Sequence, residues 1–121
     1  MPYGFVYVLR NPTMPGIYKI GHTNNSPLQR AADLSSKTSV ALPYEVVLYC
    51  ELHNPREFEF ILHDYFSEKR INNKREFFKL SPFDLINLYQ YLSGASINHT
   101  KCDYFDEIEN KYGQDYLNEM V

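Results

Sequence analysis

Tryptophan is absent from these 121 residues, cysteine occurs only at Cys50 and Cys102, and no apolar run approaches a bilayer-crossing length. Each shortage excludes something. Two cysteines make no disulfide framework, so the expected setting is a reducing, cytoplasmic one. A membrane-spanning helix needs ~20 consecutive apolar residues, so no membrane partner is expected. The opening residues, MPYGFVYVLRNP, have neither a basic n-region nor a small-residue cleavage site and do not read as a signal peptide. Positive charge is also scarce. The net charge is −3, which argues mildly against a nucleic-acid partner. That deficit is uneven, however: residues 1–80 hold ten Lys/Arg against eight Asp/Glu, and residues 81–121 hold two against seven. A phosphate-binding face on the first eighty residues stays open, because the local field governs association more than the total charge.

What is present fits one folded domain. Apolar residues make up 44% and aromatics 16%, enough for a packed core, with tyrosine and phenylalanine carrying the aromatic share. Phe5–Arg10 and Ile17–His22 are β-rich runs separated by Asn11-Pro12 through Pro15-Gly16, the signature of an antiparallel hairpin with a long loop. Three helix starts share one grammar: Ser26-Pro27-x-Gln29, Asn54-Pro55-x-Glu57 and Ser81-Pro82-x-Asp84. The first two resemble capping boxes. The spacing predicts a helix over about Pro27–Lys37 burying Leu28, Ala31, Ala32 and Ser35. A second, Pro55–Ser67, is predicted to bury Phe58, Ile61, Leu62 and Tyr65, with Glu59, His63 and Phe66 on the adjacent face.

Pro43–Glu51 is predicted as a strand with Tyr44, Val46, Leu48 and Cys50 on one face, and Glu76–Leu80 as a short one. A third helix, Pro82–Leu92, is expected to stop at Ser93-Gly94. Residues 95–102 read as a linker to an acidic helical segment, Asp103–Met120, which Gly113 is expected to interrupt. The expected fold is α/β (α+β): a small, mainly antiparallel sheet of three or four strands packed by helices over residues 1–94. An acidic helical extension follows at 95–121.

The chemically capable side chains cluster in sequence. Tyr7, Lys19, His22 and Arg30 lie in the opening hairpin and first helix, and Glu59 lies on the second helix. An arginine suits a scissile phosphate because its planar fork matches two oxygens. A glutamate suits Mg²⁺ or Mn²⁺, which can neutralise phosphate charge as a Lewis acid. Tyr7 would be able to activate water were its proton drawn off by a neighbouring cation, with Lys19 or His22 the obvious neighbour. The run Lys69-Arg70-Ile71-Asn72-Asn73-Lys74-Arg75 suits backbone phosphates, and Arg10 joins that set.

FVYVL followed by IYKIGHT, with Arg30 nine residues after Gly21, resembles the GIY-YIG endonuclease motif. Val6-Tyr7 stands for the end of the first triplet and Lys19-Ile20-Gly21 for the second, with lysine where most members have tyrosine. Phe58-Glu59-Phe60-Ile61-Leu62-His63 resembles the helix carrying that family's metal-binding glutamate. Asn72 or Asn73 falls near an asparagine that often follows it. The Glu59-x-x-Leu62-His63 spacing and Arg75-Glu76-Phe77-Phe78 are similar to a phage and bacterial branch whose second triplet is KIG. The resemblance covers residues 3 to about 90. It implies a metal-dependent DNA endonuclease in which Tyr7 is the general base, Lys19 supports it, Arg30 binds the phosphate and Glu59 holds the metal, with His22 a further catalytic candidate from its place beside Gly21.

Blander readings stand beside these. Tyr7 in an apolar strand fits a core position, Lys19 an exposed alternate residue, His22 a turn former, and Glu59 a partner for His63 one turn later. His63 is as compatible with structure as with function, and Glu76 with an anchor. Cys50-x-x-His53 and His99-x-x-Cys102 form mirror-image pairs with zinc-ligand chemistry, at a spacing unusual for zinc modules. The sequence does not separate DNA from RNA. It leaves open a non-cleaving nucleic-acid-binding or assembly module, and a tail that covers the basic groove.

Overall fold

In the computed structural model, which describes residues 3–36, 42–71 and 74–120, the two predicted β-rich runs form the centre of a six-stranded sheet. Its strands are β1 (Tyr3–Arg10), β2 (Ile17–Thr23), β3 (Glu45–His53), β4 (Arg70–Ile71), β5 (Lys74–Lys79) and β6 (Asn98–Lys101). The order is β4-β5-β2-β1-β3-β6, and every pairing is antiparallel. The helices are α1 (Pro27–Ser35), α2 (Pro55–Tyr65), α3 (Pro82–Ala95) and α4 (Asp103–Glu119). The mixed, mainly antiparallel fold is as expected. The sheet is wider than three or four strands because β4 and β6 are short, polar pieces with little apolar signal.

Two cores lie on opposite faces. The larger gathers Val6, Val8, Ile20, Leu52 and Phe78 under Leu62 and Phe66, together with Leu85, Leu88, Leu92 and Phe105 from α3 and α4. The smaller holds Tyr7, Leu9, Ala31 and Val46, with α1 over it. Strand β1 is apolar on both sides because it contributes to both. In β3, Val46 and Leu48 were expected to share a face. A bulge intervenes: Val8 pairs with Leu48 but Leu9 with Val46, so Val46 turns to the smaller core and Val47 and Leu48 to the larger.

Several helix expectations are corrected. In α1 only Pro27 and Ala31 are buried, and Leu28 is exposed, because this short helix touches the sheet along one narrow line. The reciprocal capping box belongs to Ser81 and Asp84, whose short carboxylate reaches back to the Ser81 amide. Gln29 instead bonds Asp33 one turn on, and Asn54 adopts a left-handed backbone with no side-chain cap bond. Helix α3 runs through Ser93 and Gly94 to Ala95, and α4 is unbroken at Gly113. The stretch expected as a linker supplies β6, hydrogen-bonded to β3. Phe105 of α4 is fully buried in the larger core, and the Tyr104 hydroxyl bonds that of Tyr18 at 2.8 Å.

Phe105→Ala should cost about 3–5 kcal/mol in denaturant unfolding, whereas a loss near zero would mean that α4 is only loosely attached. A second expectation concerns pH. Burial, then the bond to Tyr104, raises the Tyr18 pKa, and burial likewise pushes the Cys50 thiol up to about 12. Both groups stay protonated in the native state while the unfolded chain titrates nearer pH ~9–10, so the unfolded chain releases protons first. Stability is therefore fully kept below that range and falls as pH rises through it. Urea midpoints measured from about pH 7 to 11 should drop at the alkaline end, less so in Tyr18→Phe. A flat profile for the parent would contradict this coupling.

Candidate active site

Four elements bring the polar side chains together. Strand register places Tyr7 opposite Gly21 on β2 and Tyr49 on β3, with Lys19 diagonally adjacent on the same face. Tyr7 is 1% exposed. Its ring lies across Gly21 so closely that a Cβ there would sit 2.5 Å from the phenol oxygen. The glycine is needed for that close approach, and its backbone is ordinary extended strand. In the sequence Gly21 stands out only as part of a triplet; its packing role shows once the register is known.

Lys19 is 4% exposed, and its Nζ donates to Glu76 Oε2 at 2.6 Å. The lysine is therefore no exposed alternate residue. It is a buried cation stabilised by a carboxylate, as such a group must be. Glu76 is an anchor for Lys19, a pairing across 57 positions that no local pattern announces.

His22 Nδ1 meets Glu59 Oε2 at 2.5 Å. One turn beyond, His63 Nε2 donates to the Ile20 carbonyl at 2.8 Å, and its ring packs 5.0 Å from Phe78. Glu59 thus does not pair with His63; each makes its own bond to β2. These two contacts turn α2 so that its polar edge faces the strand. Ile61 and Tyr65, expected inside, are exposed as a result.

Arg30, exposed on α1, is near enough to the Tyr7 hydroxyl to act on its proton. Burial raises the Tyr7 pKa most, and the charges of Glu76 and Glu59 raise it further, while Arg30 lowers it through hydrogen bonding and charge. The neighbouring cation was expected to be Lys19 or His22. It is Arg30, since the other two are taken up by Glu76 and Glu59, and the net direction is upward. Tyr7 rests as a neutral phenol. Among the described residues Arg30 has no carboxylate partner, which leaves its fork available to an anion.

The remaining candidates are dispersed. Arg10 is bonded to Glu45 at 2.5 Å and lies over the Tyr104 ring, far along β1 from Tyr7. Lys69 is tied to both oxygens of Asp84 at 2.7 Å. Arg70 stacks on Phe78 and has a buried Nε without a hydrogen-bond partner. Asn72 and Asn73 lie outside the described residues, as do the side chains of Lys74 and Arg75. The zinc constellation does not assemble, although Cys50 and His99 face each other across β3 and β6. Cys50 is in the larger core, Cys102 packs against the smaller, His53 stacks on Tyr3 and His99 bonds Tyr89. Among the described residues no group of three or more His, Cys, Asp or Glu side chains is placed to hold a metal.

Residues 4–93 match the T5orf172 domain, and the chain belongs to that family. No curated protein and no solved structure matches it significantly. Among the described residues no helix is long and apolar enough to cross a membrane.

Gly21→Ala tests the packing of the site. The new methyl group must displace a ring that is itself enclosed, so a loss of about 1–3 kcal/mol in urea unfolding is expected. Gly21→Ala in combination with Tyr7→Ala should recover part of that loss relative to Tyr7→Ala alone. An undiminished stability in the single variant would show that Tyr7 has room to move.

Proposed function

We propose that this chain is a metal-dependent endonuclease of GIY-YIG type that hydrolyses phosphodiester bonds in DNA. The observation that carries the reading is that the Tyr7 hydroxyl of β1 lies within the influence of both Arg30 of α1, which lowers its pKa, and Glu59 of α2, which raises it. The T5orf172 domain is found in phage and bacterial nuclease-like proteins, which favours a nuclease or DNA-binding role.

Arg30 binds the scissile phosphate, its charge not committed to a carboxylate. Glu59 would hold a divalent cation, and His22, bonded to that carboxylate, fixes its orientation. A single carboxylate fits Mg²⁺ or Mn²⁺, which keep several waters and take further oxygens from substrate phosphates. Such an ion supplies Lewis-acid neutralisation of the phosphate charge. Tyr7 acts as the general base, and its surroundings set how readily it loses its own proton. Burial and two carboxylates resist that loss, and Arg30 favours it. Lys19 offsets one of the opposing charges by pairing with Glu76. That is how a lysine serves at a position where most of the resembled family has tyrosine.

The second reading, a module that binds nucleic acid without cutting, is favoured by the burial of Tyr7. A single experiment separates the two. Supercoiled plasmid with Mg²⁺ or Mn²⁺ should be nicked, and Arg30→Ala, Glu59→Ala and Tyr7→Phe should each slow nicking by about 10²-fold or more. The parent rate should climb between about pH 7 and 9 on the way to the raised phenol pKa, a rise that Tyr7→Phe abolishes. Salt-sensitive binding with no nicking in either metal would establish the second reading instead.

A further inference from the structure

Turning α2 onto β2 leaves the Phe60 ring in open solvent. Phe60 is 72% exposed, more than any other large apolar side chain among the described residues, and it directly follows Glu59. A lone exposed phenylalanine is ordinary surface. The company of Phe60 is not. It borders a cleft of about 600 Å³ whose other walls include His22, Asn24, Asn54, Arg56 and Glu57. That volume is in the ligand-cleft range of about 300–1,000 Å³. His22 connects the cleft to Glu59 through their shared hydrogen bond. Asn54 holds a left-handed backbone at φ 52°, yet its carboxamide does not cap α2. Among the described residues the Asn24 side chain likewise makes no hydrogen bond. Two carboxamides without side-chain hydrogen bonds among the described residues thus line the same cleft as an uncovered aromatic face, with the Asn24 oxygen lying against Gly4.

Charge decides which ligand suits these walls. Arg56 and Glu57 contribute one charge of each sign, and the Glu59 carboxylate stands behind His22, so an anion gains little there. A neutral planar ring with donors and acceptors around its edge matches every wall. We infer that this cleft takes an unpaired nucleobase, stacked on Phe60 and bonded along its edge by Asn24 and Asn54. The inference rests on the nucleic-acid reading for its substrate, but not on cleavage. In a duplex both faces of a base are covered by its neighbours, so the base must come from a single-stranded or splayed segment. The substrate class is then nucleic acid with an unpaired nucleotide.

The test is binding of short oligonucleotides containing a fluorescent adenine analogue to the full chain, without divalent ions. The parent should quench the analogue in a single strand and bind that strand more tightly than the matching duplex. Phe60→Ala and Phe60→Leu should weaken single-strand binding about tenfold or more, while Phe60→Tyr stays within about twofold of the parent. The leucine variant keeps an apolar group of similar size, so its loss would report the missing ring face and not a folding defect. Parent-like binding by Phe60→Leu, absence of quenching, or a preference for duplex would each overturn the inference. Plasmid nicking by the same proteins separates the two proposals. Nicking with no effect of Phe60 on strand binding removes only the base cleft, and Phe60-dependent strand binding without nicking removes only the nuclease.

Discussion

Two polar contacts between α2 and β2 govern most of what this molecule can do. Glu59 to His22 and His63 to the Ile20 carbonyl sit one helical turn apart, and together they fix the rotation of α2 about its axis. Had apolar burial alone set that rotation, Ile61 and Tyr65 would lie inside and Glu59 would face water. The helix forgoes that burial and brings a carboxylate into the field of Tyr7. A buried polar group costs free energy unless it is hydrogen-bonded, and both polar groups of α2 are.

The face opposite α2 obeys a steric rule. Tyr7 fits its slot only because position 21 has no side chain, so β2 must carry glycine where β1 carries the phenol. Lys19 completes the arrangement. In an apolar sheet its ammonium would be costly alone, and Glu76 removes most of that cost while placing a second carboxylate near Tyr7. The electrostatic character of the site therefore comes from pairs, Lys19 with Glu76 and His22 with Glu59, beside an Arg30 that has no carboxylate partner among the described residues.

Features with a local cause are legible in the sequence, and those with a distant cause are not. The hairpin, the helix starts and Glu59 on a helix all follow from short-range periodicity, proline placement and turn residues. That Arg30 and Glu59 both act on Tyr7 is legible only through a resemblance, since no periodicity reveals which elements meet. The Lys19–Glu76 pair depends on the β2–β5 register, and for the same reason the sequence points to the wrong cation beside Tyr7. The face switch at Val46 needs a bulge that nothing in the run PYEVVLYCE announces. Strand β6 escapes because NHTK has no apolar alternation; it is a strand only because β3 offers it hydrogen bonds.

That last strand has a consequence for the family to which this chain belongs. The family match ends at residue 93, five residues before β6 begins. Without β6, the rim of the sheet would be β3, nine residues long and rich in Val, Leu and Tyr, with one row of amides and carbonyls open to any other chain. With it, the rim is four polar residues on one side and the two-residue β4 on the other. Residues 98–101 thus act as a built-in cover that keeps the sheet from extending into a neighbour. Removing residues 98–101 would bare that row of β3 amides and carbonyls to any other strand.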